Sequence, residues 1–392
     1  MVYEGYVHLG YKPKDDLVCT FRIEPATDQA REAVAAESSV GTWKEVATMT
    51  PRIRRMGAKV FSVKGNYFKV AYPKELFEPG NMPQIFSSIA GNVFGMKEVE
   101  NLRLIDVRWP KKIMDSFRGP QYGVPGVRKL LRVPKRPLVG TIIKPKLGLD
   151  PKEHAKVAYE AWVGGIDMVK DDENLSSQTF NNFYARAIET IRMKERAERE
   201  TGERKVYICN VTAETREMLK RAKFLRDHGN DYAMVDILTV GWSGLQTLRE
   251  EMQKLKLVLH GHRAMHAALT RNPKHGVSMR VLAEAARLVG VDQLHVGTAV
   301  GKMEGGKADL ISIVEDMESQ FVKSGKHMMA EKWGRVKPVF AVCSGGLHPG
   351  LVRPLVNMLG KDIIIQAGGG VHGYPGGTRA GAAAMRKAVE NV

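Results

Sequence analysis

From Pro137 onward the chain alternates short apolar runs with longer amphipathic segments, and it does so eight times. The apolar runs are Leu138–Ile143, Ile166–Val169, Val206–Val211, Ala233–Leu238, Leu257–His260, Gln293–Val296, Val339–Val342 and Ile363–Gln366. Repetition of strand and helix in this order builds a parallel sheet from βαβ units. Eight units in ~255 residues fit a closed (β/α)8 TIM barrel better than an open sheet. The helical segments carry their own boundaries. Asp150-Pro151-Lys152-Glu153 supplies an N-cap, an N1 proline and an N3 acid. The run His275–Leu288 repeats apolar residues at Val277, Val281, Leu282, Ala285 and Leu288, and Gly290 follows as a stop.

Residues 1–112 follow a different order. Strand-like runs Leu17–Glu24, Ala58–Val63 and Tyr67–Ala71 mix with helical runs Asp28–Ser38 and Pro83–Ala90. This predicts an α+β sandwich of the ferredoxin-like kind. Residues 113–136 carry Gly and Pro breakers and read as a connector. The expected organisation is an α/β chain with an N-terminal α+β domain at 1–112, a connector at 113–136 and a catalytic barrel at 137–392.

Composition removes several function classes. No apolar stretch approaches the roughly 18 residues needed to cross a bilayer, and the N-terminus lacks the apolar core of a signal peptide. A cytoplasmic protein without a membrane partner is expected. Cys19, Cys209 and Cys343 are far apart, without metal-ligand spacing, and predict neither disulfides nor a zinc site. The net charge of +17 raises the question of a polyanionic partner. The basic residues are scattered along helices such as 193–205 and 216–226, with no basic tail and no interleaved aromatics, so no nucleic-acid partner is expected.

In a barrel of this kind, reactive groups collect at the C-terminal ends of the strands. Lys144 and Lys146 close the first strand, and Lys170, Asp172 and Glu173 close the second. His260, His262, Arg263 and His266 follow the fifth. His295 closes the sixth, with Lys302 in the glycine-rich loop beyond it. Ser344-Gly345-Gly346 follows the seventh strand and Gly368-Gly369-Gly370 the eighth. Taken by itself, the Lys170-Asp171-Asp172-Glu173 run reads first as a solvated charge cluster. Its second reading is a Mg2+ site of hard oxygen donors. Lys170 has only donors to offer and joins such a site only if CO2 caps its neutral amine as a carbamate. Six decorated strand ends favour the second reading. Glycine clusters after strands seven and eight suit a phosphate cradle, because they let backbone N–H groups approach an anion. Arg263 and His295 can hold a second phosphate. Two phosphates across one barrel mouth imply a sugar bisphosphate of about five carbons.

The segments GTIIKPKLGL, GGIDMVKDDEN, HGHRAMHAAL, LHVGTAVGKMEG, CSGG and QAGGG resemble, in order and spacing, the large chain of ribulose-1,5-bisphosphate carboxylase/oxygenase (RuBisCO). The resemblance runs from about residue 10 to the end. GTIIKPKLGL, SGGLHPG and GGVHGYPGGTRAGA look most like the archaeal-type form III. It implies the substrate ribulose 1,5-bisphosphate, with CO2 added to a Mg2+-bound enediolate to give two 3-phosphoglycerates and O2 consumed in a side reaction. The implied setting is nucleotide salvage or archaeal-type carbon fixation. The alternative within this resemblance is a RuBisCO-like enolase or isomerase acting on another phosphorylated ketose.

The resemblance also assigns residues. Lys170, as a carbamate, with Asp172 and Glu173 would hold Mg2+, while Asp171 is not carried over. Lys144 is the proton-transfer lysine of the first strand and Lys146 its companion. His262 handles protons near the metal, and Lys302 steadies the incoming CO2. Arg263, His295 and Ser344 would bind one phosphate. Gly345, Gly346, Gln366, Gly368 and Gly369 belong around the other. Glu37, Thr42, Trp43 and Asn92 match residues that a partner subunit inserts, which implies a homodimer or an assembly of dimers without a small subunit. Ile142 departs from the threonine of many photosynthetic members.

Overall fold

The computed structural model describes residues 5–42, 46–300 and 306–392. Contacts divide the chain into two compact units, Met1–Arg118 with Met265–Leu288 and Ser319–Val336, and Gly119–Ala264 with Val289–Glu318 and Lys337–Val392. None of the helices among the described residues is long and apolar enough to cross a membrane.

The first unit is built on a five-stranded sheet in the order Gly276–Val277, Asn101–Arg108, Leu17–Glu24, Tyr67–Tyr72 and Lys59–Lys64. Its pairings are antiparallel except that of Gly276–Val277 with Asn101–Arg108. Leu17, Val18, Cys19, Phe21 and Ile23 are fully buried in the central strand, and Phe21 stacks on Phe68 at 5.5 Å. The helix Asp28–Glu37 begins where Thr27 accepts from the N–H of Ala30, and it buries Ala30, Ala33 and Val34. Two features escaped the sequence. The strand Asn101–Arg108 was not anticipated. The run expected to be helical from His275 starts instead with the edge pair Gly276–Val277, and its helix spans Met279–Val289. Polar bonds draw the two late segments into this unit. Buried Asp106 pairs with Arg280 at 2.8 Å and accepts from the Met329 N–H at 2.7 Å. Trp109 donates its backbone N–H to Glu331 and its indole N–H to Glu284. Segments 265–288 and 319–336 therefore group with the N-terminal sheet, although the sequence boundaries counted them with the barrel.

The second unit is a closed barrel of parallel strands: Leu138–Ile142, Met168–Lys170, Val206–Asn210, Tyr232–Asp236, Val258–His262, Gln293–His295, Phe340–Ser344 and Ile363–Gln366. The eighth strand pairs with the first and closes the ring. Strands covered on both faces read as unbroken apolar runs, which is why all eight were visible in the sequence. The helix Pro151–Val163 has the full capping box, with Asp150 accepting from the N–H groups of Lys152 and Glu153.

The expected connector holds a helix, Gly123–Leu131. Its Val124, Val127 and Leu131 pack in one cluster with Leu138, Met168, Val206, Tyr232, Val258 and Phe340, residues at the starts of barrel strands. It thus plugs the N-terminal end of the barrel, each buried side chain contributing about 1.5–3 kcal/mol. Gly123 enters this helix at φ +59°, where a Cβ would meet the Pro338 carbonyl oxygen at 2.5 Å, so no other residue fits without a shift.

Candidate active site

Lys170 is the last residue of the second barrel strand, held by pairing to Ile142 on one side and Ile208 on the other. Its side chain is fully buried. The Nζ donates to the Asp171 carbonyl at 2.7 Å, and it lies 3.3 Å from Met234 Sδ and 3.5 Å from Glu173 Oε2. Burial lowers its pKa against the raising effect of Glu173, Asp172, Asp236 and Asp171. A buried ammonium with only one long carboxylate contact is the kind of amine that gives up its proton readily.

Asp172 accepts from Lys144 Nζ at 2.8 Å and from the Asn174 N–H and Nδ2 at 3.2 and 3.1 Å. Burial raises its pKa, but the Lys144 and Asn174 bonds outweigh this and hold it below its ordinary value. His262, at the end of the fifth strand, points Nε2 at Glu173 Oε2 from 3.5 Å. Its Nδ1 lies 2.7 Å from Asp236 Oδ1 and 3.2 Å from the Ala264 N–H. The shorter, charge-assisted contact fixes the proton on Nδ1 and leaves Nε2 facing the carboxylate cluster.

Asp171 has a different job. It accepts from Tyr207 OH at 2.8 Å and the Asn210 N–H at 3.0 Å, and it pairs with Arg186 at 3.3 Å and His154 at 3.2 Å. Burial pushes its carboxyl up, yet Arg186, His154 and the Asn210 N–H hold it well below the carboxylate range. With its oxygens so engaged it has nothing to offer a cation.

Across the mouth, Arg263 makes no hydrogen bond or ion pair with any described residue. Burial pushes its guanidinium down to about 10. It lies against Gly297 (φ +89°), where a Cβ would meet Nη2 at 2.4 Å. A sheltered cation with no partner among the described residues calls for an external anion. Beside it a hydrogen-bonded chain threads the barrel: Gln293 Oε1 to His260 Nδ1 at 2.7 Å, His260 Nε2 to His295 Nε2 at 2.9 Å, and His295 Nδ1 to Ser344 Oγ at 3.0 Å. Burial lowers His260 to about 3 and His295 well below its ordinary value, so both are neutral. The Gln293 carbonyl requires the His260 proton on Nδ1. His260 Nε2 then accepts from His295, and His295 Nδ1 accepts from Ser344.

Beyond Ser344, at the ends of the seventh and eighth strands, the N–H groups of Gly345, Gly346 and Gly368 donate to no described residue. Gly369 opens a short helix, Gly369–His372. His372 in that helix lies 3.0 Å from Thr141 Oγ1 of the first strand and 3.0 Å from Thr378 Oγ1. Gln366 is buried with both amide atoms unpartnered, a state that ligands or water relieve.

The structure thus gathers Lys144, Lys170, Asp172, Glu173, His262, Arg263, His295, Ser344 and Gln366 at the C-terminal ends of the barrel strands. Lys146 is exposed there. His266, named with the fifth strand, belongs to the first unit and lies 2.9 Å from Thr270 Oγ1. In the first unit Asn92 Nδ2 reaches Glu37 Oε1 at 3.2 Å. Thr42 is described, whereas Trp43 and Lys302 lie outside the described residues. Sequence reasoning overlooked Asp236, Gln293 and the Thr141–His372–Thr378 link. Asp236 carried a readable signal, because it ends the fourth strand as Lys170 ends the second.

Among the described residues no group of three or more His, Cys, Asp or Glu could hold a metal ion. Asp172 and Glu173 provide two hard oxygen donors, and Lys170 stands next to Glu173. The donor set suits Mg2+ once Lys170 gains a carboxylate, and on that chemistry the residues fit.

Residues 123–392 match the model of the ribulose bisphosphate carboxylase large chain, catalytic domain, and residues 5–113 that of its N-terminal domain. The chain is 49% identical over 396 residues to a ribulose bisphosphate carboxylase of Methanosarcina mazei, covering 98% of this chain and 92% of the relative. It is 48% identical over 401 residues to that of Methanocaldococcus jannaschii, covering 99% and 94%. Among solved structures it resembles the dimeric archaeal Rubisco of Hyperthermus butylicus, with a TM-score of 0.94, 45% identity and coverage of 100% and 94%. The octameric Rubisco of Pyrococcus horikoshii gives a TM-score of 0.92 and 46% identity, with coverage of 99% and 91%.

Proposed function

The chain belongs to the ribulose bisphosphate carboxylase large-chain family and is an archaeal-type ribulose bisphosphate carboxylase, a carboxy-lyase, and from that premise we propose how its own residues divide the reaction. The observation that carries the reading is Lys170, a fully buried amine of lowered pKa beside two carboxylates. As a neutral amine it adds CO2 to give a carbamate and releases one proton. The carbamate, Asp172 and Glu173 would then hold Mg2+, which when bound supplies a Lewis acid for the substrate's carbonyl. Arg263 takes one phosphate of ribulose 1,5-bisphosphate, and the N–H groups of Gly346, Gly368 and Gly369 take the other. Gly345 shapes that turn at φ +115°, and Gln366 offers its amide inside it.

A carbamate oxygen of Lys170 accepts the proton from the carbon beside the carbonyl. His262, oriented by Asp236, moves protons on the same face. The enediolate attacks CO2, and Lys302 offsets the charge of the new carboxylate. Water adds, the carbon–carbon bond breaks, and Lys144 protonates the last carbanion to complete two 3-phosphoglycerates. Lys146 adds a second cation at that rim. O2 competes with CO2 for the same enediolate.

We assign the chain to form III on GTIIKPKLGL, SGGLHPG and GGVHGYPGGTRAGA. We further infer a homodimer or a larger assembly of dimers, in which Glu37, Thr42, Trp43 and Asn92 serve the partner's site.

Labelled-CO2 fixation beside substrate-proton exchange tests the division of roles. Lys302→Ala is expected to lower fixation by about 10²–10³-fold, the usual effect of removing one charge-stabilising donor. Proton exchange with solvent should survive. Exchange without fixation in the wild-type enzyme would instead favour an enolase or isomerase. Arg263→Ala should raise the KM for ribulose 1,5-bisphosphate about 10²-fold, the loss of one or two charge-assisted bonds. It should leave the melting temperature within a degree or so, since no partner among the described residues is stranded.

A further inference from the structure

A second cavity, of about 420 Å³, opens at the other end of the barrel. Its walls are residues 131–136 ahead of the first strand, Asp167 ahead of the second, Gly202–Arg204 ahead of the third, and Arg386 of the final helix Gly377–Glu390. No residue named at the catalytic mouth lines it.

Five of the lining residues are basic and two are acidic. Both acids are already neutralised. Asp167 accepts from Arg136 at 2.6 and 2.7 Å and from the Val139 N–H at 2.9 Å. Glu203 accepts from Arg386 at 2.9 Å and from Lys205 at 2.8 Å. Arg204 is taken by Asp231 at 2.8 Å and Glu198 at 3.2 Å. Arg132 and Lys135 remain; both are exposed, and the side chain of neither bonds to a described residue. Two unspent cations in a concavity concentrate positive potential there.

We propose that this cavity is an anion site separate from the catalytic mouth, built for a small sugar phosphate whose phosphoryl group is taken by Arg132 and Lys135. The size is that of a small-molecule site, about 300–1,000 Å³, and exceeds what one phosphate needs. No aromatic side chain lines it, so there is no platform for a nucleobase. The remaining wall combines the part-exposed carboxylate of Glu203, an acceptor for a sugar hydroxyl, with the apolar Leu131, Val133 and Pro134. Occupancy ties the loop after the plug helix to the bases of the first three strands and stabilises the folded barrel by mass action.

Calorimetric titration with ribose 5-phosphate at about 0.15 M salt tests this. The Arg263→Ala enzyme, weakened at the catalytic mouth, is expected to keep one site per chain. Adding Arg132→Ser and Lys135→Ser should weaken that site at least about tenfold, as the loss of charge-assisted bonds to a phosphate would. Carboxylation by the Arg132→Ser/Lys135→Ser enzyme without added sugar phosphate should match wild type. The proposal is overturned if Arg263→Ala binds no ribose 5-phosphate, or if Lys323→Ser/Lys326→Ser, exposed and outside the cavity, weakens binding equally. Inorganic sulfate bound as tightly would overturn the sugar-phosphate assignment.

Discussion

Lys170→Ala is expected to abolish carboxylation, with labelled-CO2 fixation falling about 10⁴-fold or more, as when a group that acts in concert with its neighbours is removed. The variant loses the amine that captures CO2, and with it both the third oxygen donor and the base. Two carboxylates remain, one of them already shared with Lys144 at 2.8 Å. The Mg2+ titration of the variant should therefore weaken together with the rate. Alanine also leaves a hole where a fully buried four-carbon stem had been. Lys170→Met separates the two effects. Methionine fills most of the volume without a charge to desolvate, so its melting temperature should equal or exceed wild type. Its fixation rate should be as low as that of alanine. Fixation above about a tenth of the wild-type rate in either variant would sink the assignment, since no single supporting contact has so small an effect when a required ligand is lost.

The barrel was legible because its strands are sequestered on both faces and so become continuous apolar runs. Every anticipated run overlaps an observed strand. The C-terminal ends then told where to look for polar residues, and Lys144, Lys170, His262 and Ser344 stand there. The strand Asn101–Arg108 was harder, since Asp106 takes an inward position and breaks its apolar alternation. Asp106 is buried only because Arg280, 174 positions later, neutralises it. The Gly123–Leu131 helix hid behind Gly and Pro, although Val124, Val127 and Leu131 had helical spacing. Partner identities within the site were not legible at all. Nothing local to Asp171 announces Arg186 and Tyr207, and nothing local to His295 announces His260. Such pairings are made where each crossover lays one parallel strand beside the next and packs the helix between them, bringing together residues 15 to 36 positions apart.

Asp171→Ala is expected to destabilise the enzyme by about 3–5 kcal/mol, the typical effect of stranding a buried charge. Arg186 is fully buried and loses its carboxylate, keeping only bonds to the Asn181 side chain and to the Asn181 and Ser176 carbonyls. Tyr207 OH and the Asn210 N–H lose their acceptor as well. At about 2–4 °C per kcal/mol for a unit of this size, the melting temperature should fall on the order of 10 °C. Asp171→Asn, which retains a hydrogen-bond acceptor, should fall between. The Asp171→Asn/Arg186→Met enzyme tests the cause: removing both charges should recover much of what Asp171→Ala loses, and no recovery would mean that packing rather than the stranded guanidinium dominates. The sign of the pH effect follows from the same network. The Asp171 carboxyl is held lower in the folded chain than in the unfolded one, so its stabilisation is complete above about pH 4 and is lost as pH falls through the folded value. Melting curves of Asp171→Asn should accordingly flatten on the acid side relative to wild type. Because Asp171 sits between Lys170 and Asp172, the same variants should also need more Mg2+ for half-maximal fixation, and a loss of stability with unchanged Mg2+ demand would show that the network holds the fold without aligning the site.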